Sequence, residues 1–330
     1  MTKLLSDALT PKQARIAAVL YKEGLQRGFE LVITCREYFH LADVLKMYDV
    51  PYICVGRYGA SLYEKLIYGI ERQRALAEVA KDVEGYVGFP SPDAARVVFG
   101  LGRPLVVLND TPHAVHVNRL GLPLAEVLVA PAAVPAEAWR PYCPRKVETF
   151  EGVFEYMWVS RFAPDPSVVK DIGLEPGGYV VLRPEESHAA YYKWDMAQVR
   201  KAFVEVAKSM GYVVVNVPRY PDQVIEGVVN LTKAVDHLQL AYFSAGVVTG
   251  GATMATEAAL LGVPSLSYFP ETYYIDEYLQ KNGAPLYRCK ELQHCVETLR
   301  LMLKMGKTAP LKLEDPTKTI MKAVADVVAR

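Results

Sequence analysis

Cysteine is scarce and unpatterned in this chain. Cys35, Cys54, Cys143, Cys289 and Cys295 are odd in number, and none forms a C-x-x-C pair. This argues against a zinc site or a disulfide framework and predicts a reduced, cytoplasmic protein. Net charge is missing as well. Lys plus Arg and Asp plus Glu both number 37, which argues against a broad nucleic-acid footprint. No uncharged apolar run is long enough to cross a bilayer. The first residues lack a signal-peptide pattern, since Lys3 and Asp7 flank only a short apolar stretch. Asparagine is confined to Asn109, Asn118, Asn216, Asn230 and Asn282, a composition that points to a thermophilic source. No G-x-G-x-x-G follows an apolar run, which removes a nicotinamide-dependent dehydrogenase, and no H-E-x-x-H is present.

What is present is alternation. Across 330 residues, more than one compact core usually holds, short apolar runs trade places with amphipathic ones. Phe29 to Thr34, Tyr52 to Val55, Tyr86 to Phe89, Leu105 to Leu108 and Val127 to Val129 read as strands. Pro11 to Arg27, Glu37 to Tyr48, Leu62 to Lys81 and Pro92 to Gly100 read as helices between them. The strands show little polar alternation, as burial on both faces of a parallel sheet requires. The rhythm fails between 139 and 178, where proline and glycine cluster, and restarts at Tyr179. The predicted fold is α/β: an acceptor-side Rossmann-like domain over 1–160, a second over 161–314, and a helix over 315–330 crossing back to the first. Two such sheets facing a central cleft would place their strand C-terminal ends around it, where ligands of open α/β sheets bind.

The most informative segment runs from Val247 to Pro264. An apolar run ends at Gly250-Gly251, a helix-forming run follows, and Gly262 and Pro264 stop it. A strand, glycine turn and helix in this order aim backbone N–H groups and the positive helix end at one point, suited to a phosphate or pyrophosphate. Thr253 and Thr256 either donate hydroxyls to such an anion or cap the helix. Glu257 lies about two turns into the run, a ribose-width from the phosphates.

The stretch Gly251-Ala252-Thr253-Met254-Ala255-Thr256-Glu257, with Ala258, Gly262 and Pro264, resembles the donor-binding stretch of GT-B glycosyltransferases such as the peptidoglycan N-acetylglucosaminyl transferase. It is also similar to UDP-N-acetylglucosamine 2-epimerases, which share that fold. Asn109-Asp110-Thr111-Pro112-His113-Ala114, Asn118-Arg119, Pro164 to Val168 and Arg183-Pro184-Glu185 extend the resemblance over nearly the whole chain. They mark it as similar to domain-of-unknown-function family 354, archaeal and bacterial predicted glycosyltransferases. The resemblance implies a nucleotide diphosphate sugar, UDP-linked, as substrate rather than a cofactor. Glu257 would hold the ribose hydroxyls and Arg183 the diphosphate, with Glu185, His188, Arg219, Gly250, Gly251, Thr253, Met254 and Thr256 around them. Leu182 stands where the epimerases carry a histidine, which argues against their chemistry. A non-catalytic nucleotide-sugar-binding protein is the third reading.

The first half offers candidates for the acceptor side. A glycosyl transfer needs a base for the acceptor hydroxyl; Asp7 follows a short predicted strand at Leu4-Leu5, Asp110 follows the strand Leu105 to Leu108, and His113 is a further candidate. Asp110 reads equally as the cap of a helix over Thr111 to Arg119. Asn118 and Arg119 would position an anion or brace the cleft. His113 and His116, three apart on that helix, would share a face, yet no third ligand is fixed by spacing and no metal site is expected. The stretch Arg57, Tyr58, Tyr63, Lys65, Leu66, Ile67, Tyr68, Arg72 and Arg74 is basic and aromatic. It reads either as an amphipathic helix covering its sheet or as a peripheral contact with a membrane bearing a polyprenyl-linked acceptor.

Overall fold

The buried apolar runs assemble into two all-parallel sheets in a computed structural model that describes residues 1–38, 41–186, 195–231, 235–270 and 274–328. The chain divides into two units. Unit 1 comprises Met1–Trp158 and Leu313–Arg330, and unit 2 comprises Val159–Lys312.

Unit 1 contains, in chain order, β1 (Thr2–Ala8), α1 (Pro11–Leu25), β2 (Phe29–Glu37), α2 (Leu41–Met47), β3 (Ile53–Arg57), α3 (Leu62–Ala80), β4 (Gly85–Gly88), α4 (Pro92–Gly100), β5 (Leu105–Leu108), α5 (Val115–Gly121), β6 (Val127–Pro131) and β7 (Val147–Phe150). The sheet order is β3-β2-β1-β4-β5-β6-β7. Helix starts follow the side-chain chemistry. Thr10 caps α1 with Pro11 in its first turn, and Ser61 and Glu64 form a reciprocal capping box on α3. All four residues of β4 and of β5 are buried, because helices cover both faces. Strand β7 lies in the proline-rich stretch read above as a break. Its half-exposed residues pair with β6 at the sheet edge, so the short run carries little of the apolar signal. The helix predicted from Thr111 starts instead at Val115.

Unit 2 contains α7 (Ser167–Lys170), which follows a single turn of helix at the unit boundary, α6 (Tyr156–Val159). Next come β8 (Tyr179–Arg183), α8 (Met196–Ser209), β9 (Val213–Asn216), β10 (Val229–Asn230), α9 (His237–Phe243), β11 (Gly246–Thr249), α10 (Thr253–Leu260), β12 (Ser265–Ser267), α11 (Tyr274–Lys281), β13 (Leu286–Arg288) and α12 (Leu292–Met305). The order β10-β9-β8-β11-β12-β13 has the chain moving outward one way from β8 and the other way from β11. Phe203, Leu299 and Met302 from α8 and α12 pack with Val180, Val248 and Leu266 of the strands to form its core. The last helix, α13 (Thr317–Val328), packs on β5, β6 and β7 within unit 1.

The expectation of a fully reduced chain is corrected. Cys35 and Cys54 are register partners on β2 and β3 and form a disulfide, and Cys289 bonds Cys295. Strand pairing brought together residues whose spacing matched no cysteine motif. Only Cys143 is left as a free thiol. Among the described residues, no helix is long and apolar enough to cross a membrane.

Candidate functional site

The chain reverses direction across the second sheet between β8 and β11, and ligands of open α/β sheets bind at the C-terminal end of such a switch point. Arg183 ends β8, Arg219 follows β9, and Gly250-Gly251 joins β11 to α10. Arg183 donates through Nη1 to the carbonyls of Val217 at 2.8 Å and Pro218 at 3.1 Å. Burial first, and the neighbouring Arg219 second, push its guanidinium well down from the ordinary arginine value, to about 9. Arg219 donates through Nε to the carbonyl of Pro184 at 3.0 Å, and its outer nitrogen lies against Gly251. Two guanidinium groups are thus held together against their mutual repulsion, a cost that an anion would relieve.

Helix α10 adds to this field. It begins at Thr253 with no side-chain cap, so the amides of its first turn lack an intrahelical acceptor and carry the positive end of the helix dipole. The two glycines act differently from the expectation. Neither has a positive φ. Gly250 N donates to the Arg183 carbonyl at 3.1 Å, and Gly251 N donates to Thr249 Oγ1 at 3.0 Å. Their amides are therefore committed to the fold, and the anion-facing donors shift to Ala252 through Ala255. Gly250 is required by close packing, since a Cβ there would lie 2.5 Å from Glu185 Cα.

Thr253 is half-exposed at the helix start, while Met254, Thr256 and Glu257 are buried. A buried Glu257 one turn into the helix is not a solvent-facing surface glutamate. Glu185 is corrected from ligand to scaffold. Its carboxylate pairs with Arg200 and accepts from Tyr268 Oη at 2.9 Å, and its carbonyl accepts from Gln223 at 2.8 Å. Arg200 and Tyr268 escaped the sequence reading because only the packing of α8 and β12 brings them to residue 185. His188 lies outside the described residues.

In unit 1, Asp7 is the next-to-last residue of β1, at the corresponding switch point beside β4. It does not fit the role of base. Arg72 donates to its two oxygens at 2.5 and 2.9 Å, Thr34 at 2.7 Å and Ser91 at 2.6 Å, and its side chain is fully buried. Every lone pair directed at a proton is already used. Asp110, after β5, accepts from Lys12 Nζ at 2.5 Å and from Thr111 Oγ1 at 2.8 Å. Lys12 also donates to Glu155 Oε1 at 2.7 Å, and Glu155 Oε2 is buried with no hydrogen-bond partner. Burial pushes the Glu155 carboxyl above its ordinary value, against the opposing pull of Lys12; burial also works to lower the Lys12 ammonium, but the Asp110 and Glu155 carboxylates together outweigh it and raise it. Glu155 was missed because it is 143 residues from Lys12. Its one sequence signal is a lone charge inside the run Val153 to Trp158.

Asn118 is buried and holds the 109–112 loop: it accepts from Asn109 at 2.8 Å and donates to the carbonyls of Thr111 at 3.0 Å and Pro112 at 3.2 Å. This is bracing, not anion contact. Arg119 is exposed on α5. His113 sits in the turn before α5 and His116 within it, so the shared helix face expected for them does not form. Among the described residues, no group of three or more His, Cys, Asp or Glu is placed to hold a metal ion. A cavity of about 690 Å³ lies at the opposite, N-terminal strand ends of unit 1, lined by Arg103, Arg145, Lys146 and Glu126. Arg145–Glu126 and Lys146–Glu148 are paired there, and none of the groups described above reaches it.

Two sheets in Rossmann order, each with polar groups at its strand C-terminal ends, define the GT-B class of α/β folds. The chain belongs to the family described as "Protein of unknown function (DUF354)", which it matches over residues 12–329. It is 29% identical over 322 residues to an uncharacterized protein of Methanocaldococcus jannaschii, with 93% of each chain covered. Among solved structures it is similar to the UDP-GlcNAc 2-epimerase of the same organism in complex with UDP-GlcNAc and UDP, with TM-score 0.75, 11% identity, and 98% and 100% of the two chains covered. It is similar also to the kitacinnamycin glycotransferase, with TM-score 0.59, 12% identity, and 98% of each chain covered. At these identities the likeness establishes the fold.

Proposed function

We propose that unit 2 binds a nucleotide diphosphate sugar, UDP-linked, and that the protein is a glycosyltransferase. One observation carries this reading: Arg183, Arg219 and the uncapped start of α10 converge at the switch point of the second sheet. The diphosphate lies against the Ala252–Ala255 amides and between the guanidinium groups, whose planar forks suit phosphate oxygens. Glu257 receives the ribose hydroxyls, with Thr253, Met254 and Thr256 shaping the wall beside it. Bond cleavage at the sugar develops charge on the departing diphosphate, and preorganised arginines and amides stabilise it there. The complexes with UDP-GlcNAc and UDP of a structural relative support the ligand class.

The acceptor chemistry is assigned to the Lys12–Asp110–Glu155 cluster of unit 1. Two carboxylates share one ammonium there, and the raised Glu155 carboxyl is the group suited to taking and returning a proton. His113, exposed in the turn that follows Asp110, is the further candidate for the acceptor side. Calorimetry with UDP and UDP-sugars tests the donor site. UDP binding that is lost in Glu257→Gln and Arg183→Gln is expected. A folded wild-type protein that binds neither UDP nor a UDP-sugar at millimolar levels would sink the reading.

The higher TM-score with the epimerase than with the glycotransferase favours a second reading, a UDP-N-acetylglucosamine 2-epimerase-like enzyme. Leu182, where those enzymes carry a histidine, is buried in the unit 2 core and offers no acid–base group. Incubation with UDP-N-acetylglucosamine in deuterium oxide decides: deuterium at sugar C2 marks an epimerase. Binding without isotope incorporation or transfer across an acceptor library marks a nucleotide-sugar-binding protein.

A further inference from the structure

The first half of α3 is solvent-exposed on a face where a sheet-covering helix would be buried. Leu62 is 85% exposed, Tyr63 72%, Leu66 61% and Ile70 56%. Arg72, Leu76 and Ala80, further along, are the residues of α3 that are buried. At 3.6 residues per turn, Leu62, Leu66 and Ile70 form one strip along the helix. Lys65, Tyr68, Gly69 and Arg72 form the adjoining strip, and these line a cavity of about 160 Å³ together with Arg36, Arg57, Tyr58, Gly59 and Asp93.

The charges in this cavity are unbalanced. Its one carboxylate, Asp93, is held by Arg72 at 3.4 Å and Gln73 at 3.2 Å. Among the described residues Arg36, Arg57 and Lys65 make no ion pair. Arg36 Nε is buried without a hydrogen-bond partner. Aromatic faces hold the cations in place: Arg36 lies 4.6 Å from the Tyr58 ring centroid and Arg57 4.2 Å from that of Tyr68, with Lys65 5.0 Å from Tyr58. The start of α3 is closed to an anion, because Glu64 already caps it. Fixed cations without carboxylates and an unfilled donor describe a phosphate site. A bare phosphate would leave the apolar strip beside it in water, where burying it would be favourable.

We propose that this cavity and strip form one site for a phosphate-bearing lipid. The Arg36, Arg57 and Lys65 cations hold the phosphate, and Leu62, Leu66 and Ile70 lie along its hydrocarbon chain. Every residue of this site belongs to unit 1, and the proposal does not rest on the nucleotide reading of unit 2.

Calorimetric titrations with monomeric dihexanoyl phosphatidic acid, dihexanoyl phosphatidylcholine and inorganic phosphate test this, each run in saturating UDP. Phosphatidic acid is expected to bind at least about tenfold tighter than either of the others, given a charged phosphate plus buried methylenes. Arg57→Gln and Lys65→Gln should each weaken it by about tenfold. The double variant Leu66→Asn/Ile70→Asn should weaken phosphatidic acid and leave inorganic phosphate unchanged. All four positions are exposed, and unchanged thermal melts verify folding. Equal affinity for phosphatidic acid and phosphatidylcholine overturns the phosphate assignment. Inorganic phosphate as tight as phosphatidic acid overturns the lipid assignment. Displacement by UDP, or no effect of Arg57→Gln and Lys65→Gln, places the anion elsewhere and overturns the site.

Discussion

Gly250 and Glu185 are in such close contact that a Cβ on residue 250 would lie 2.5 Å from Glu185 Cα and 2.8 Å from its backbone nitrogen. No rotamer change relieves a clash with backbone, so Gly250→Ala should cost about 1–3 kcal/mol and displace the strand ends bearing Arg183. The next position differs in kind. A Cβ at 251 would meet the mobile end of Arg219 at 3.1 Å. Gly251→Ala should stay within about 0.5 kcal/mol of wild type while weakening UDP binding by pushing that guanidinium aside. Urea melts and UDP calorimetry on both variants separate the two effects. Equal stability of Gly250→Ala and wild type would refute the packing argument.

Arg183 and Arg219 should respond differently to neutralisation. Arg219→Gln loses the bond to the Pro184 carbonyl but removes a like charge from beside a buried guanidinium, and with the two effects opposed the free protein should lose little stability, while UDP affinity falls by about tenfold or more. Arg183→Gln also deprives the Val217 and Pro218 carbonyls of their donor, and should cost about 1–3 kcal/mol in addition to the affinity loss. Melts with and without saturating UDP measure both quantities. Undiminished UDP binding in both variants would remove the arginines from the site.

Lys12→Met should be strongly destabilising near neutral pH, by about 3–5 kcal/mol, because it leaves Asp110 and Glu155 buried without their shared cation. The sign of the pH dependence follows. Glu155 is already held above its ordinary 4.5 in the folded protein, and losing Lys12 raises it further. Between 4.5 and that raised value the folded state binds more protons than the unfolded state, so stability falls as pH rises through the window. The variant should therefore recover relative to wild type as pH is lowered toward 4.5. A destabilisation that is flat across this range, in urea melts at stepped pH, would contradict the cluster.

The disulfides make a simple chemical prediction. Protein denatured without reductant should show one reactive thiol, Cys143, and after reduction all five cysteines. The Cys35→Ser/Cys54→Ser double variant should lose about 2–4 kcal/mol through freedom returned to the unfolded chain. Cys289 and Cys295, only six residues apart, close a shorter loop and should contribute less. Five thiols in the unreduced protein would exclude both bonds.

Much of the architecture was legible because a parallel sheet buried on both faces leaves uninterrupted apolar runs. Helix α4 and strand β5 fall where the runs Pro92 to Gly100 and Leu105 to Leu108 place them. Edge strand β7 was not legible, since half-exposed residues among prolines carry no such run. The turn at Gly250-Gly251 stood out as a strand-to-helix junction, yet its sequence could not tell a glycine needed for an anion from one needed for a neighbouring backbone.

Local chemistry in the sequence thus determined where strands stop, where helices start and which strand-to-helix junction carries the paired glycines, because those depend on residues a few positions apart. Tertiary structure alone decided which polar groups remain available. Asp7 was taken by Arg72, Glu185 by Arg200 and Tyr268, and Cys35 by Cys54, while Glu155 came to Lys12 and Asp110. Each outcome turns on partners brought together by sheet order and packing, over separations that no local pattern encodes.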